Sequence, residues 1–157
     1  MTRSVYVLNG PNLDLLGRRD PVVYGTATLA DVEELCRQEA DRLGLRLVFR
    51  QSNHEGELID WVHEAFDVGA AVVGNFGAYT HTSIALMDAL EVLEAPVVEV
   101  HISDIHAREE FRRHSFVGLV ADDAVVGQGV EGYRIAIRRV AELLGAGAPD
   151  ENGPTTR

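Results

Sequence analysis

The sequence predicts an α/β domain in which helices cover both faces of a parallel sheet. Short β-branched runs alternate with longer segments of helical periodicity, which is the pattern of such sheets. A length of 157 residues suits one compact domain, and 46% hydrophobic and 25% charged residues are typical of a globular chain. We expect one domain over residues 1–145 and a flexible polar tail over residues 146–157.

Five runs have the composition of buried strands. They are residues 5–8, 47–50, 70–74, 97–100 and 117–120. Between the first two, Thr28 with Asp31 three residues later is typical of a helix start, and Gly44 is typical of a helix end. Apolar spacing predicts further helices over residues 58–66, 84–93 and 131–144, and residues 107–114 are predicted as a short charged helix.

The alternation favours a flavodoxin-like three-layer sandwich with strand order 2-1-3-4-5, although other α/β orders are possible. Right-handed crossovers place helices on both faces of that five-stranded parallel sheet. The direction of connection reverses between strands one and three, so a ligand crevice opens at their C-terminal ends. Residues directly after strands one, three and four should therefore lie together.

Charge and composition argue against several classes of partner. A net charge of −11 argues against nucleic acid, because phosphate backbones attract basic surfaces. No apolar run has the length of a signal peptide or a membrane span. The single cysteine, Cys36, cannot form an internal disulfide, which fits a reducing compartment and most simply the cytoplasm.

Polar clusters follow the strands whose ends should meet, at residues 9–12, 75–83 and 99–103. Each cluster alone could be a set of turn residues. Together at one edge of the sheet they favour a ligand site.

Tyr24 and Arg19 lie in a long glycine-flanked stretch, residues 17–25, between strand one and its helix. Long connections of this kind are usually functional or disordered. Guanidinium charge beside a tyrosine favours the phenolate, which is a competent base. A tyrosine that only packs its loop down is the alternative.

Glu99 and His101 alternate on one strand and so face the same side, where the carboxylate can orient and charge the imidazole. His101 is therefore a candidate proton donor, or alternatively a satisfied core histidine. His81 and Ser103 are candidate hydrogen-bonding groups for a polyol. Ser103 with the Ile102 amide could also bind a carboxylate.

Charged residues on two predicted helices are also candidates. Arg108 and Arg112 share a face of the predicted fourth helix, from which one of them could reach over the crevice. Such charge runs are more often solvated faces. Asp88, in the otherwise apolar third helix, either faces solvent or contacts another chain.

Two further patterns are misleading. Residues 127–132 match a dinucleotide-binding glycine motif, but only one helix and the tail follow, so we interpret the glycines as a tight turn into the last helix. His101, Asp104 and His106 are possible zinc ligands, yet no established zinc motif is present.

Several motifs together resemble the type II 3-dehydroquinate dehydratases. They are residues 8–13 (LNGPNL), 19–21 (RDP) with 24–25 (YG), 51–56 (QSNHEG), 77–83 (GAYTHTS) and 99–103 (EVHIS). The resemblance, over about residues 5–144, implies a flavodoxin-like subunit, assembled as trimers and commonly as a dodecamer. It also implies conversion of 3-dehydroquinate to 3-dehydroshikimate without metal or cofactor, a step of the shikimate pathway of aromatic amino-acid biosynthesis. The same reaction serves quinate breakdown.

The same resemblance implies a role for each site residue. Tyr24 removes the proton α to the ketone, Arg19 supports its phenolate, and His101 protonates the leaving hydroxyl. Asn12 holds a water that stabilises the enolate, and Glu99 tunes His101. The implied substrate-binding residues are Asn75, His81, Asp88 from a neighbouring subunit, Ile102, Ser103 and Arg112.

Three residues, Asp14, Phe76 and Met87, depart from those most common in that family. None is the implied acid or base, so we expect them to affect rate and assembly rather than the reaction. Two other functions remain open at this point. One is a metal-dependent hydrolase that uses His81, His101 and Asp104, and the other is a non-catalytic interaction module.

Overall fold

The computed structural model describes residues 2–145 and contains one parallel sheet of five strands. Their order is β2-β1-β3-β4-β5, which confirms the predicted order. The strands are β1 (Ser4–Asn9), β2 (Arg46–Gln51), β3 (Ala71–Asn75), β4 (Val97–His101) and β5 (Asp123–Val126). The predicted tail at residues 146–157 lies outside the described residues, and the assignment of a single domain stays a prediction.

In residues 2–145, four helices cover the two faces of this sheet. They are α2 (Leu29–Arg42), α3 (Glu55–Val68), α4 (Ile84–Glu91) and α5 (Glu131–Leu144), and the short helix α1 (Pro21–Tyr24) lies in the connection between β1 and α2. The predicted start of α2 is confirmed, because Asp31 N donates to Thr28 Oγ1 at 3.2 Å and Thr28 N donates to Asp31 Oδ2 at 2.9 Å. Gly44 follows the end of α2 with a φ of 69°, a conformation that glycine adopts without strain.

The core lies in two layers, one on each side of the sheet. Along β1 the side chains alternate between them: Val5 and Val7 pack with α2 and α5, whereas Tyr6 and Leu8 pack with α3 and α4. All four are buried. A central strand with both faces buried has an almost continuous apolar sequence, which is why β1 was predictable.

The fifth strand was predicted wrongly. Residues 117–120 form a 3-10 turn, Val117–Leu119, and β5 is instead Asp123–Val126, which pairs with β4. Val117 is buried in the layer beneath α4, so this apolar run fills the core without joining the sheet. A short apolar run has no periodicity that distinguishes a strand from a buried turn.

The predicted helix over residues 107–114 is also wrong. Two 3-10 turns, Ile105–Ala107 and Glu110–Arg112, occupy this region. Between them Arg108 has an extended backbone, with φ −96° and ψ −167°, which interrupts helical hydrogen bonding. The Asp104 side chain accepts from His106 N at 3.0 Å and so starts the first turn.

The loops that follow β1 and β3 are in direct contact. Asn9 is the register partner of Asn75, and Gly10 N donates to Asn75 O at 2.7 Å. A Cβ at Gly10 would lie 2.3 Å from Phe76 O, so only glycine fits this close approach. The backbone at the base of the predicted crevice is therefore closely packed. No helix in residues 2–145 is long and apolar enough to cross a membrane.

Candidate active site

A pocket opens at the C-terminal ends of β1, β3 and β4, where the sequence placed the ligand crevice. Nine predicted site residues line it: Asn12, Arg19, Tyr24, Asn75, His81, His101, Ile102, Ser103 and Arg112. Glu99 lies behind His101, to which it is hydrogen bonded. Asp88 is exposed on α4 and does not line this pocket.

Two arginines flank Tyr24, which ends the short helix α1. Arg108 Nη1 donates to the Tyr24 hydroxyl oxygen at 3.1 Å. The guanidinium carbon of Arg19 lies 4.4 Å from the centroid of the Tyr24 ring. Two positively charged groups therefore lie beside the Tyr24 side chain. The direct contact to the oxygen comes from Arg108, for which the sequence indicated only that it could reach the crevice.

A buried acid–base pair, Glu99 and His101, contributes His101 to the pocket that Tyr24 also lines. His101 Nε2 lies 2.5 Å from Glu99 Oε1, and the two side chains are 5% and 2% exposed. Ser115 Oγ donates to the same carboxylate oxygen at 2.7 Å. Burial raises the pKa of Glu99, but the hydrogen bond and charge of His101, with the Ser115 hydroxyl, outweigh burial and bring that pKa below its ordinary value.

The ionised Glu99 carboxylate determines which ring nitrogen of His101 can act on a ligand. A carboxylate only accepts, so His101 Nε2 carries a proton. Nδ1 has no hydrogen-bond partner in residues 2–145, and it is the nitrogen left to exchange a proton with a bound molecule. The predicted pairing on one face of β4 is confirmed.

His81 is held by a backbone carbonyl. Its Nδ1 lies 2.7 Å from the carbonyl oxygen of His114, and a carbonyl requires a donor. Burial lowers the pKa of His81, the His114 carbonyl opposes this, and the charges of His101 and Arg112 lower it further. A neutral His81 with its proton on Nδ1 presents the lone pair of Nε2, which suits a ligand hydroxyl.

Asn12 has a strained backbone that its neighbours stabilise. With a φ of 68°, it is the one non-glycine residue of residues 2–145 in the left-handed region. Asn12 N donates to Asn53 Oδ1 at 3.0 Å, and Gln51 Nε2 donates to the same oxygen at 3.1 Å. Residues held in such conformations are often found at functional sites. Asn53 was missed as a site-supporting residue because its contact joins two separate loops.

The glycine motif supports the end of β4. Gly127 and Gly129 have φ values of 75° and 60°, which confirms the predicted tight turn before α5. Their amide groups donate to the carbonyl oxygens of His101 and Ile102, both at 3.1 Å. This turn therefore fixes the backbone at the two residues that carry the predicted acid and part of the predicted anion site.

Metal ligation finds no support in the described geometry. No group of three His, Cys, Asp or Glu side chains between residues 2 and 145 is arranged to hold a metal ion. Asp104 was predicted as a possible zinc ligand together with His101 and His106. Its side chain instead caps the turn that contains His106.

Comparison with known proteins gives consistent matches over nearly the whole chain. Residues 3–141 match the family described as dehydroquinase class II. A protein of Rhodopseudomonas palustris (strain TIE-1) named 3-dehydroquinate dehydratase is 56% identical over 149 residues, covering 94% of this chain and 99% of the relative. One of the same name from Acidovorax ebreus (strain TPSY) is 58% identical over 147 residues, covering 90% of this chain and 99% of the relative.

A solved structure has the same architecture. The crystal structure of type II dehydroquinase from Propionibacterium acnes superposes with a TM-score of 0.87 at 44% sequence identity. The match covers 90% of this chain and 98% of that one.

Proposed function

Because this chain belongs to the class II dehydroquinase family, we propose that its pocket removes water from 3-dehydroquinate with Tyr24 as the base and His101 as the acid. Its relatives are named 3-dehydroquinate dehydratase, and a dehydratase is a hydro-lyase. Its product is 3-dehydroshikimate, and the shikimate pathway is the implied setting.

The reaction needs a strong base and a separate acid. The proton α to the ketone is weakly acidic, so the carbon–hydrogen bond breaks only if a base takes the proton and the enolate oxygen is stabilised. The electron pair then returns from the enolate to form the carbon–carbon double bond. The carbon–oxygen bond to the β-hydroxyl breaks, and this oxygen leaves as water after it receives a proton.

The observation that carries this proposal is the placement of Tyr24 between two guanidinium groups in the pocket that His101 also lines. The positive charges of Arg108 and Arg19 stabilise the phenolate form of Tyr24. A phenolate is a far stronger base than a neutral phenol. Tyr24 can therefore take the α-proton while Arg108 and Arg19 offset the negative charge that develops.

His101 supplies the proton for the leaving oxygen. The carboxylate of Glu99 stabilises the imidazolium form, and its contact at Nε2 fixes the ring so that Nδ1 donates. Ser115 holds Glu99 from the other side. After release of product, solvent restores the two protonation states.

The remaining pocket residues bind the anionic polyol. Asn12 would hold a water at the enolate oxygen. Asn75, His81 and Arg112 would bind the substrate hydroxyls, and Ile102 with Ser103 would bind the carboxylate. The arginines of the pocket offset the repulsion expected between an anionic substrate and a chain of net charge −11.

We also propose that the chain assembles as trimers that form a dodecamer, with Asp88 completing a neighbouring pocket. On α4, the helix of Asp88, the apolar residue Ile84 is 53% exposed, and so is Val92 directly after it, as expected of a face that another chain covers. The proposed location is the cytoplasm. It fits the buried Cys36, because burial raises the pKa of its thiol to about 12 and keeps it unreactive.

The assembly is tested by light scattering and by complementation. Two inactive variants, His101→Ala and Asp88→Ala, should regain part of their activity when subunits are mixed, since some pockets then receive an intact residue from each chain. Absence of recovery in a mixed oligomer would place Asp88 outside the site.

The proposed reaction is tested by mixing the protein with 3-dehydroquinate in buffer that contains a strong chelator. Ultraviolet absorbance of the enone product should rise at the same rate with and without chelator. No turnover would contradict the proposed function, and turnover lost on chelation would indicate a metal-dependent mechanism instead.

A further inference from the structure

We propose that Tyr133 is a positioning residue whose buried hydroxyl orients the side-chain amide of Asn75 for substrate binding. Tyr133 lies on α5 and does not line the pocket. The inference rests on the proposed role of Asn75, and it adds a residue that the mechanism above does not use.

The Tyr133 hydroxyl joins the two strands that border the crevice. It donates to Asn9 Oδ1 at 2.7 Å and accepts from Asn75 Nδ2 at 2.9 Å. Asn9 and Asn75 are register partners at the C-terminal ends of β1 and β3. A single hydroxyl from α5 thus connects both strands directly below the pocket.

The direction of each hydrogen bond in this network follows from a backbone carbonyl. Asn9 Nδ2 donates to Arg50 O at 3.0 Å, and a carbonyl can only accept. Asn9 must therefore present its oxygen to Tyr133, and this oxygen takes the one hydroxyl proton. Tyr133 can then only accept from Asn75, which turns Nδ2 toward the helix and leaves Oδ1 3.4 Å from Gly77 N.

The packing of the Tyr133 ring does not depend on its hydroxyl group. Its ring is completely buried and packs in the apolar layer with Val73 and Ile137, where phenylalanine would serve equally well. Burial raises the pKa of Tyr133, so the hydroxyl keeps its proton throughout the working pH range. The hydrogen bonds of the hydroxyl with Asn9 and Asn75 therefore explain why an oxygen is present at this buried position.

The glycine motif places Tyr133 relative to the site. Gly129 N binds the carbonyl of Ile102, and α5 begins two residues later. A Cβ at Gly132 would lie 3.3 Å from Val100 Cγ2, so helix and strand pack closely there. Tyr133 is the next residue, so contacts with the end of β4, as well as with β1 and β3, fix its position.

The test compares Tyr133→Phe with Tyr6→Phe, which removes a hydroxyl from another buried tyrosine that does not line the pocket. Removing one buried hydrogen bond corresponds to about a 5- to 10-fold effect. We expect Tyr133→Phe to raise KM for 3-dehydroquinate by about that factor with a smaller change in kcat, and Tyr6→Phe to leave KM unchanged.

A double variant separates positioning from general loss of structure. Asn75→Ala should raise KM, and adding Tyr133→Phe should raise it no further, because the hydroxyl acts through Asn75. A second variant, Asn9→Ala, removes the acceptor that orients the Tyr133 proton and should also raise KM. All assays are run well below the melting temperature of each variant.

Two results would overturn the inference while leaving the proposed function intact. One is a KM for Tyr133→Phe equal to that of Tyr6→Phe, and the other is multiplication of the two effects in the double variant. A normal KM for Asn75→Ala would instead remove Asn75 from the substrate site and the positioning role of Tyr133 with it.

Discussion

Replacing Glu99 by glutamine should lower kcat, because it removes one charge and keeps the shape of the side chain. The pKa of Glu99 lies below its ordinary value, since its interactions with His101 and Ser115 outweigh burial. In the proposed mechanism this carboxylate faces the positive charge of His101 as the proton donor. A neutral glutamine leaves that charge without a partner, so proton donation by His101 becomes slower.

The structure gives the magnitude of this effect. The contact between Nε2 and Oε1 is 2.5 Å, which puts the two charge centres about 4 Å apart. At that separation the attraction is about 1 kcal/mol in bulk water and about 4 kcal/mol at an effective dielectric constant of about 20. A buried pair beside an open pocket lies toward the upper value, and about 3 kcal/mol corresponds to about a 100-fold loss of kcat.

The assay measures kcat near neutral pH from enone absorbance at saturating 3-dehydroquinate. A matched control is Glu91→Gln, which changes an exposed carboxylate on α4. We expect kcat to fall only in Glu99→Gln. A normal kcat in that variant would show that His101 is not the acid supported by Glu99.

Three further perturbations test other parts of the site and the fold. Arg108→Ala removes the donor to the Tyr24 hydroxyl, so kcat should fall, and by more than in Arg19→Ala, where only a ring contact is lost; equal kcat values in the two variants would contradict this order. Ser115→Ala removes the donor to Glu99 and should lower kcat by about 3- to 10-fold, the value of one hydrogen bond. Because the Ser115 hydroxyl also accepts from Gly118 N at 2.9 Å, kcat is measured well below the melting temperature of the variant, and a normal kcat would mean that Glu99 is held without Ser115. Glu39→Gln should destabilise the fold by about 1–2 kcal/mol at pH 7. Hydrogen bonds from Arg42 and from Arg138 lower the pKa of Glu39, and together they outweigh the opposite effect of burial. A carboxyl whose folded pKa is lowered stabilises the protein above its unfolded pKa and loses this effect as pH falls through the folded value. Calorimetry should therefore show the difference between the two proteins at pH 7, and this difference should shrink as the pH falls below the ordinary pKa of a glutamate.

The central part of the fold could be predicted because its strands are buried on both faces. β1, β3 and β4 have nearly continuous apolar sequences, which is typical of the inner strands of a parallel sheet. The edge strand β5 carries Asp123 and is less completely buried than the inner strands. The more apolar run at residues 117–120 was therefore predicted as the fifth strand instead. Strand pairing is a long-range property that composition does not specify.

The candidate site was predictable where residues directly follow a strand. Chain topology alone brings the ends of β1, β3 and β4 together, so Asn12, Asn75 and His101 could be placed in one pocket. The contacts that Arg108 and Tyr133 make could not be predicted, because they span 84 and 58 residues of chain and depend on one extended residue and on the packing of α5. Only the folded geometry shows such contacts.

Removal of the α-proton by the Tyr24 phenolate is the step on which the proposed mechanism depends, and turnover of 3-dehydroquinate by Tyr24→Phe measures it. This variant keeps the ring and its contact with Arg19 while it removes the basic oxygen. We expect kcat to fall by at least ~10² at an unchanged melting temperature, as is usual when a general base is lost. A kcat near that of the unaltered enzyme would show that another group takes the proton.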